Sequence, residues 1–258
     1  TKKKKNTKHI RAVMSQSVFV MLVVGVLVLE AVAAEQVQIS MLDYITAKPL
    51  VGKSLEWLEN GTAFTTDANG YVTLEADVGS NITIDFAGDE EYHSVRSVTV
   101  VVPVGGLVTM MDQIVMQTPS NLMFDLFFFV TPGTKNRTAC QVVVTVCNVN
   151  KTVHDSPQGL PGTVAVLSPA NQLKTFYFGT WGKLSNDTNP LPNNLTSSSY
   201  DGGVLFEDLP ISDEWYVVSA YHEGYTFTTS TFRCDKPGLF VNGAPNQGPR
   251  ATPVSGQQ

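Results

Sequence analysis

Helix signals are almost absent from this sequence of 258 residues, because its apolar residues alternate with polar ones instead of recurring every three or four positions. Valine and threonine are abundant, and both residue types favour strands. Turn signals separate the candidate strands at intervals of about ten residues. The sequence therefore predicts an all-β fold built from antiparallel sandwiches, and it excludes a largely helical fold.

Basic residues are scarce beyond the first 33 positions. That segment holds six of the 17 Lys and Arg residues but only one of the 23 acidic residues, so the remainder carries a net charge of about −11. Proteins that bind nucleic-acid backbones need clustered Lys and Arg side chains. We therefore expect no nucleic-acid partner.

Motifs for catalysis or metal binding are also lacking. His93, His154 and His222 share no metal-ligand spacing with one another or with Cys or Glu residues. The run HDS at 154–156 contains the residue types of a catalytic triad, but neighbours on an extended chain point apart. The run GKS at 52–54 lacks the upstream glycine of a phosphate-binding loop. We expect no catalytic residue, no metal and no cofactor.

A secretory signal is predicted at the N-terminal end of the sequence. A basic segment, Thr1–Arg11, precedes an apolar run, Val18–Leu29, and small residues follow. The run is shorter than the roughly 20 apolar residues that a membrane span needs. We therefore predict a signal over residues 1–34, cleaved after Ala33 or Ala34, and a secreted or cell-surface protein. A retained membrane anchor is the alternative.

Six Asn-x-Thr sequons follow this segment, and such sequons accept surface glycans on secreted chains. The predicted glycosylation sites are Asn60, Asn81, Asn136, Asn150, Asn186 and Asn194. We expect covalent glycans at most of these sites.

Cysteine is scarce, and an odd count of three leaves one thiol unpaired or bound to another chain outside the cell. If Cys140 and Cys147 share one strand, they lie more than about 20 Å apart. A disulfide needs Cα atoms within roughly 7 Å, so these two cannot then pair with each other. We favour a Cys147–Cys234 disulfide, with Cys140 free or as the alternative partner.

One turn pattern occurs twice, about 133 residues apart. TTDANGYVTL begins at Thr65 and SSYDGGVLF begins at Ser198, and each stretch places a small polar turn before a strand. A small apolar step that ends in glycine precedes each turn, and Gly88 or Gly224 follows it. We interpret the two regions as two copies of one β-sandwich.

This repeated pattern resembles the carboxypeptidase regulatory-like, or prealbumin-like, β-sandwich. The matching residues are Pro49-Leu50-Val51-Gly52, Thr66, Asp67, Gly70, Leu160-Pro161-Gly162, Asp201, Gly203, Phe206, Leu209, Tyr216 and Gly224-Tyr225. With this resemblance we place one sandwich at 35–118, a second at 119–235 and an extended, Pro- and Gly-rich tail at 236–258. Such modules resemble spacers, adhesin stalks and appendages on enzymes, so the fold alone does not decide function.

The run LMFDLFFFV, Leu122–Val130, is predicted to be a strand that is apolar on both faces. Such a strand must be covered on both faces, either between the two sandwiches or by another chain. The short strand Gln36–Leu42 and the tail are suited to adding onto the sheet edge of a neighbouring copy. An intradomain position for these segments is the alternative.

Together these patterns predict a secreted structural glycoprotein that self-assembles into an extracellular filament, sheath or matrix and is not an enzyme. The expected partners are other copies of the chain and covalent glycans, with membrane contact only through an uncleaved signal. The alternative is a module that binds carbohydrate or protein. Its candidate aromatic residues are Trp57, Trp181, Trp215, Tyr216, Tyr221 and Tyr225, with Trp181 as the best exposed candidate.

Overall fold

The computed structural model describes residues 33–131, 136–170, 175–179 and 195–254, with the side chains at 128–130 left out. Most of the predicted signal over 1–34 therefore lies outside the described residues. The elements are β1 (Ala34–Asp43), β2 (Ser54–Trp57), β3 (Thr62–Thr65), β4 (Tyr71–Asp77), β5 (Asn81–Ile82), β6 (Ile84–Phe86), β7 (Val95–Ser97), β8 (Val100–Val101), β9 (Ile114–Thr118), α1 (Asn121–Val130), β10 (Cys140–Thr145), β11 (Cys147–Asn148), β12 (Val164–Ser168), β13 (Thr175–Tyr177), β14 (Gly203–Leu209), β15 (Ser212–Tyr221), β16 (Tyr225–Phe227), β17 (Ser230–Cys234), β18 (Phe240–Gly243) and β19 (Arg250–Pro253). The predicted all-β class is confirmed.

Two groups of strands pair by the same scheme. β1 pairs antiparallel with β4 and parallel with β9, and β10 pairs antiparallel with β14 and parallel with β18. Likewise, β6 lies between β2 and β7, and β15 lies between β12 and β17. Strands that occupy corresponding places along the chain thus occupy corresponding places in the sheets.

The first of the repeated turns is held by a buried threonine. The Thr66 hydroxyl donates to the carbonyl of Leu50 at 2.7 Å and accepts from the backbone N–H of Lys53 at 2.9 Å. At the tip of the turn, the carbonyl of Gly70 accepts from the N–H of Met41 at 2.9 Å. These bonds fasten the hairpin before β4 to the end of β1 and to the segment before β2.

The second turn repeats these contacts with a serine. The Ser198 hydroxyl donates to the carbonyl of Leu160 at 2.5 Å and accepts from the N–H of Thr163 at 3.0 Å. The carbonyl of Gly202 accepts from the N–H of Val146 at 2.8 Å. A small hydroxyl side chain is therefore used in the same way in both copies of the sequence pattern, because it satisfies one buried carbonyl and one N–H at once.

The largest sheet contains strands from both groups, in the order β13-β14-β10-β18-β7-β6-β2-β3. β18 pairs in parallel with β10 on one side and with β7 on the other, and all four of its residues are buried. The predicted extended tail at 236–258 is therefore wrong for its described part, which contributes this central strand and β19. Phe240 and Val241 of β18 are completely buried in the core, whereas the Pro and Gly residues of this segment lie mainly in its turns.

The run predicted as a strand over Leu122–Val130 is instead the helix α1. Ser120 caps the helix, because its hydroxyl accepts from the N–H of Met123 at 3.2 Å. An apolar run of this length is compatible with either element, and the serine cap with the spacing of its buried residues decides for the helix.

The helix buries one face in the core and leaves the other exposed. Phe124 and Phe127 are buried, and both pack against Phe240 with ring centroids 6.1 and 6.0 Å away. Leu122 and Leu126, on the other face, are exposed. Burial of Phe124 and Phe127 within one chain thus accounts for one face of this helix.

The segment Gln36–Leu42 is not free to join the sheet of a neighbouring copy. It lies within β1, which has β4 on one side and β9 on the other. Val37, Ile39 and Met41 are completely buried in the core. The prediction that this segment adds to the sheet of a neighbouring copy is therefore wrong, because both edges of β1 are paired within its own chain.

The disulfide joins Cys140 to Cys234, with Cα atoms 5.7 Å apart, and Cys147 is a buried free thiol. This corrects the predicted Cys147–Cys234 pairing. β17 ends at Cys234, near the start of β10, whereas Cys147 lies beyond the other end of β10. The Cys147 thiol donates to the carbonyl of Pro245 at 2.8 Å, and burial raises its pKa to about 12.

One thiol per chain is expected to react with an aromatic disulfide reagent, and only after unfolding. In the native state at pH 8, burial and the raised pKa keep the Cys147 thiol protonated and inaccessible. Colorimetric thiol titration without reductant, in buffer and in denaturant, measures this. Peptide mapping of the non-reduced chain should show a peptide that links Cys140 to Cys234. A linked peptide that contains Cys147 would contradict the pairing.

Candidate association surface

The sheet β12-β15-β17 has one buried face and one outward face. On β12, Ala165 and Leu167 point into the core, whereas Val164 and Val166 are 40% and 48% exposed. This alternation follows from the two-residue period of a strand. Two aliphatic side chains are therefore presented to solvent from one short strand.

β15 extends this apolar surface with two aromatic residues. Trp215 is 44% exposed and Tyr221 is 68% exposed, while Tyr216 on the opposite face is buried against Phe232. Tyr221 lies directly opposite Val164 in the antiparallel register. The outward face thus carries an aromatic residue next to an exposed valine, a pairing that stabilises antiparallel strands.

Arg233 of β17 lies opposite Trp215 and places its guanidinium 5.0 Å from the centre of the indole ring. Such a cation–π contact at an exposed site contributes about 0.5–1 kcal/mol. It holds the indole on the outward face of the sheet, so the exposed aromatic surface is oriented by its neighbour.

Within the part of the chain that the structure describes, no strand pairs with the outer edge of β12, where the Ala165 N–H donates to the Tyr177 hydroxyl at 3.1 Å. β15 is the one described strand that pairs with β12, whereas the opposite edge of this sheet is bridged where Thr231 meets Thr99. The sequence of β12, VAVLS, contains no charge and no proline. Natural proteins use charge, proline or cover to protect edge strands from pairing with other chains, and here the Tyr177 hydroxyl covers part of the edge.

This surface was not singled out from the sequence. The alternation of TVAVLSP marks a strand, but only the three-dimensional pairing shows that the strand lies at an edge. Of the predicted aromatic candidates, Trp215 and Tyr221 lie on the surface, Trp57 and Tyr216 are buried, and Tyr225 is half-buried. Trp181 lies outside the described residues.

The predicted glycosylation sites divide into two groups. In the described residues, four sequon asparagines are exposed: Asn60, Asn81, Asn136 and Asn150. Asn186 and Asn194 lie outside the described residues. Exposure makes the four side chains accessible for modification, and glycosylation itself stays a prediction.

The histidines have structural surroundings. His93 is stacked on Phe124 with ring centroids 3.5 Å apart, its Nε2 hydrogen-bonds with the carbonyl of Gly238 at 2.8 Å, and burial lowers its pKa. His154 is exposed, and the neighbouring Asp155 carboxylate accepts hydrogen bonds within its own turn. Nowhere in the described ranges do three or more His, Cys, Asp or Glu residues form a group that could hold a metal ion.

One small cavity lies under α1. Its volume is about 10 Å³, which is room for one water molecule at most. The lining residues are Phe124, Phe127, Gln141, Leu205, Glu207 and Phe240. This cavity is too small for a sugar or a cofactor, so the exposed sheet face is the stronger candidate for an interaction.

No helix among the described residues combines the length and apolar character needed to cross a membrane.

No protein-family model matches this chain, and no curated protein matches it. Among solved structures, it is similar to the shaft pilin SpaA of Lactobacillus rhamnosus GG in its E139A form, with 10% identity and a TM-score of 0.25 over 88% of this chain and 100% of the pilin. It is also similar to a streptococcal ancillary pilin, with 15% identity and a TM-score of 0.26 over 86% of this chain and 63% of that one.

A third similar structure is the Bacillus anthracis TIE protein, with 13% identity and a TM-score of 0.23 over 81% of this chain. The match spans 33% of the TIE protein, so this chain corresponds to about a third of that structure. At these identities and TM-scores, the similarities carry no argument about what this chain binds or assembles with.

Proposed function

We propose that this chain is a secreted, non-enzymatic structural glycoprotein whose copies associate into an extracellular filament, sheath or matrix. The observation that carries the proposal is the outward face of the β12-β15-β17 sheet. It combines two exposed valines of an uncharged strand with two exposed aromatic residues. Contiguous exposed apolar surface on a folded protein is typical of a protein interface.

The distribution of sequons supports the same proposal. None of the six predicted glycosylation sites lies within β12, β15 or β17. Glycans on the described sites Asn60, Asn81, Asn136 and Asn150 would block contacts at those positions and keep the chain soluble, while β12, β15 and β17 carry no sequon of their own. The chain carries a formal net charge of −6, which opposes indiscriminate aggregation. An uncharged apolar sheet face is then the favoured place for contact.

The chain is further proposed to contain two duplicated modules of the carboxypeptidase regulatory-like type. The repeated strand pairings and the matched hydroxyl contacts of Thr66 and Ser198 support a duplication. In this proposal the sandwiches span about 35–118 and 119–235, with β18 completing the sheet between them. A duplicated sandwich is compatible with a structural role, although the fold alone does not decide function.

Self-association is expected when the natively secreted, glycosylated protein is concentrated. Sedimentation velocity over a wide concentration range should show species larger than the monomer that increase with concentration. Negative-stain electron microscopy of the same samples should show regular filaments or sheets. A monomer at every concentration, with no regular assemblies on the grid, would overturn the structural role.

A carbohydrate-binding module is the second candidate, and the exposed aromatic residues Trp215 and Tyr221 favour it. They lie six positions apart on one face of β15, a separation of about 20 Å along a strand. Arg233 already occupies one side of the indole. A monomeric protein that is retained on a polysaccharide column, and loses retention in Trp215→Ala, would support this candidate over the structural one.

A further inference from the structure

We infer that Gln113, Asn246 and Gln247 bind one water molecule in a buried site, where the segment that follows β18 runs along the outer edge of β9. The inference goes beyond the proposed self-association and does not depend on it, because every group that forms the site belongs to one chain.

The two edges of β9 are satisfied in different ways. One edge pairs in parallel with β1, and no strand pairs with the other edge among the described residues. At that other edge, the N–H of Val115 donates to Oε1 of Gln247 at 3.2 Å, and the N–H of Gln117 donates to Oδ1 of Asn242 at 3.0 Å. Side-chain carboxamides thus take the place of a neighbouring strand, because buried N–H groups need acceptors.

The same segment also contacts the residue just before β9. Nδ2 of Asn246 donates to the carbonyl of Gln113 at 2.6 Å. Gln113 lies two positions before Val115, and Asn246 directly precedes Gln247. The two carboxamides therefore bond to backbone groups two positions apart, and the side chains of Gln113, Asn246 and Gln247 belong to one polar cluster.

These three side chains each keep one buried polar atom without a hydrogen-bond partner among the described residues. The atoms are Oε1 of Gln113, Oδ1 of Asn246 and Nε2 of Gln247. The three residues are only 2%, 4% and 8% exposed, so bulk solvent does not supply the missing bonds. An unpaired buried polar atom is destabilising, and native proteins rarely keep one. Three such atoms in one cluster indicate a partner that they share.

The chemistry of the three atoms selects water as that partner. Two of them are carbonyl oxygens that need a donor, and the third is an amide nitrogen whose N–H needs an acceptor. A water molecule donates twice and accepts as well, and buried waters typically make about three hydrogen bonds. A cation would satisfy the oxygens but face the N–H of Gln247. Turning this carboxamide over would place a second donor against the N–H of Val115, which now has Oε1 as its acceptor.

The charge beside the cluster also favours a neutral ligand. Nη1 of Arg250 donates to the carbonyl of Met111 at 3.4 Å, so a guanidinium contacts the chain two residues before Gln113. A metal ion in the cluster would lie near this positive charge. The three carboxamide side chains carry no negative charge to balance it, whereas calcium sites in proteins rely on carboxylates.

The water lies where the two groups of strands meet. Gln113 precedes β9 of the first group, whereas the carbonyl of Gln247 accepts from the Ser230 hydroxyl of β17 at 2.7 Å. In the same segment, the carbonyl of Pro245 accepts from the Cys147 thiol at 2.8 Å. A buried water with three protein partners is a fixed part of a structure, so this one contributes to holding the segment against both groups.

A crystal structure of the parent chain, at a resolution that shows ordered waters, tests the site directly. We expect one density peak within about 2.7–3.2 Å of Gln113 Oε1, Asn246 Oδ1 and Gln247 Nε2. Direct bonds among the three carboxamides, with no peak between them, would overturn the inference. A peak about 2.0–2.6 Å from the two oxygens would also overturn it, because those are metal–ligand distances.

Gln113→Met tests the site by the sign of its effect on stability. Met is similar to Gln in size but lacks the carboxamide oxygen, so the water would lose one of its three partners. We expect the midpoint of thermal unfolding to fall by about 2–4 °C, the shift that loss of one hydrogen bond produces in a chain of this size. Without a bound water, the same substitution would remove an unpaired buried carbonyl, and the midpoint would stay the same or rise.

Gln117→Met is the matched control, because it makes the same change in β9 at a half-buried side chain and keeps the backbone N–H that bonds to Asn242. Its midpoint should stay within about 1 °C of the parent value. Circular dichroism during heating measures all three chains. A Gln113→Met chain at least as stable as the parent would overturn the inference and leave self-association standing, since sedimentation tests that property separately.

Discussion

Arg96→Met is expected to lower the free energy of unfolding by about 3–5 kcal/mol, because it takes from the buried carboxylate of Asp85 one of its two cationic partners. Arg96 is only 1% exposed. Its Nε donates to Asp85 at 2.8 Å, and its Nη1 donates to Asp235 at 2.5 Å. Asp85 is itself buried and keeps only the ammonium of Lys236, at 2.6 Å, as a salt-bridge partner after the substitution.

Urea denaturation of Arg96→Met and of the parent chain measures this loss. The control is Arg137→Met, which breaks an ion pair with Asp125 whose side chains are 62% and 49% exposed. A solvent-exposed pair contributes about 1 kcal/mol at most, because water screens it and the side chains lose freedom in forming it. Equal losses in the two variants would show that the buried network contributes no more than a surface pair.

The position of Arg96 explains why its substitution should destabilise the whole fold. Arg96 and Asp85 belong to β7 and β6, whereas Asp235 and Lys236 directly follow Cys234 at the end of β17. The ion-pair network therefore connects the two groups of strands next to the disulfide. β18 makes a second connection by lying between β10 and β7. These cross-connections make the two groups of strands resist separation together.

The strands and turns could be predicted because their signals are local. Alternation within Tyr71–Asp77 marks β4, and the short apolar run within Gly203–Leu209 after a turn marks β14, without knowledge of any partner. The turns at Asp67–Gly70 and Asp201–Gly203 were recognised from residues that adopt the required backbone conformations. In both turns, the aspartate carboxylate accepts a backbone N–H two residues on, which is a short-range contact.

The elements that were predicted wrongly depend on distant contacts. The helix α1 and a buried strand share the same apolar run, and the packing of Phe127 against Phe240 favours the helix. The disulfide partner of Cys234 depends on which end of β10 meets the end of β17. The strand β18 lies in a Pro- and Gly-rich region and forms because two parallel neighbours are available. Apart from the Ser120 cap of α1, none of these facts is contained in a short window of sequence.

The candidate surface was only half predictable for the same reason. Trp215 and Tyr221 could be named as exposed aromatic candidates from their residue types. The place of β12 at the outside of its sheet could not, because it depends on β13 pairing with β14 instead. A sequence pattern shows which side chains of a strand face outward, but the pairing of its neighbours decides whether its edge is free.

Gly202→Ala is expected to cost about 2–5 kcal/mol of stability, for two separate reasons. Gly202 has a φ of +83°, where an L-residue costs about 1–2 kcal/mol. A Cβ there would also lie 2.5 Å from the Cα of Gly159 and 2.7 Å from the carbonyl oxygen of Val146. These are backbone atoms, so no side-chain rotation relieves the clash, and overpacking adds about 1–3 kcal/mol.

Gly52→Ala separates the two contributions, because Gly52 has a φ of +70° but no atom within 4 Å of its added Cβ. Its loss in urea denaturation should therefore be confined to about 1–2 kcal/mol. If the two turns are duplicates, Gly70→Ala should cost about as much as Gly202→Ala and more than Gly52→Ala. The reason is that a Cβ at position 70 would lie 3.0 Å from the carbonyl oxygen of Met41. A Gly70 variant as mild as the Gly52 variant would mean that the first turn can relax where the second cannot. The two copies of the turn would then share their hydrogen bonds without sharing their tolerance of a side chain.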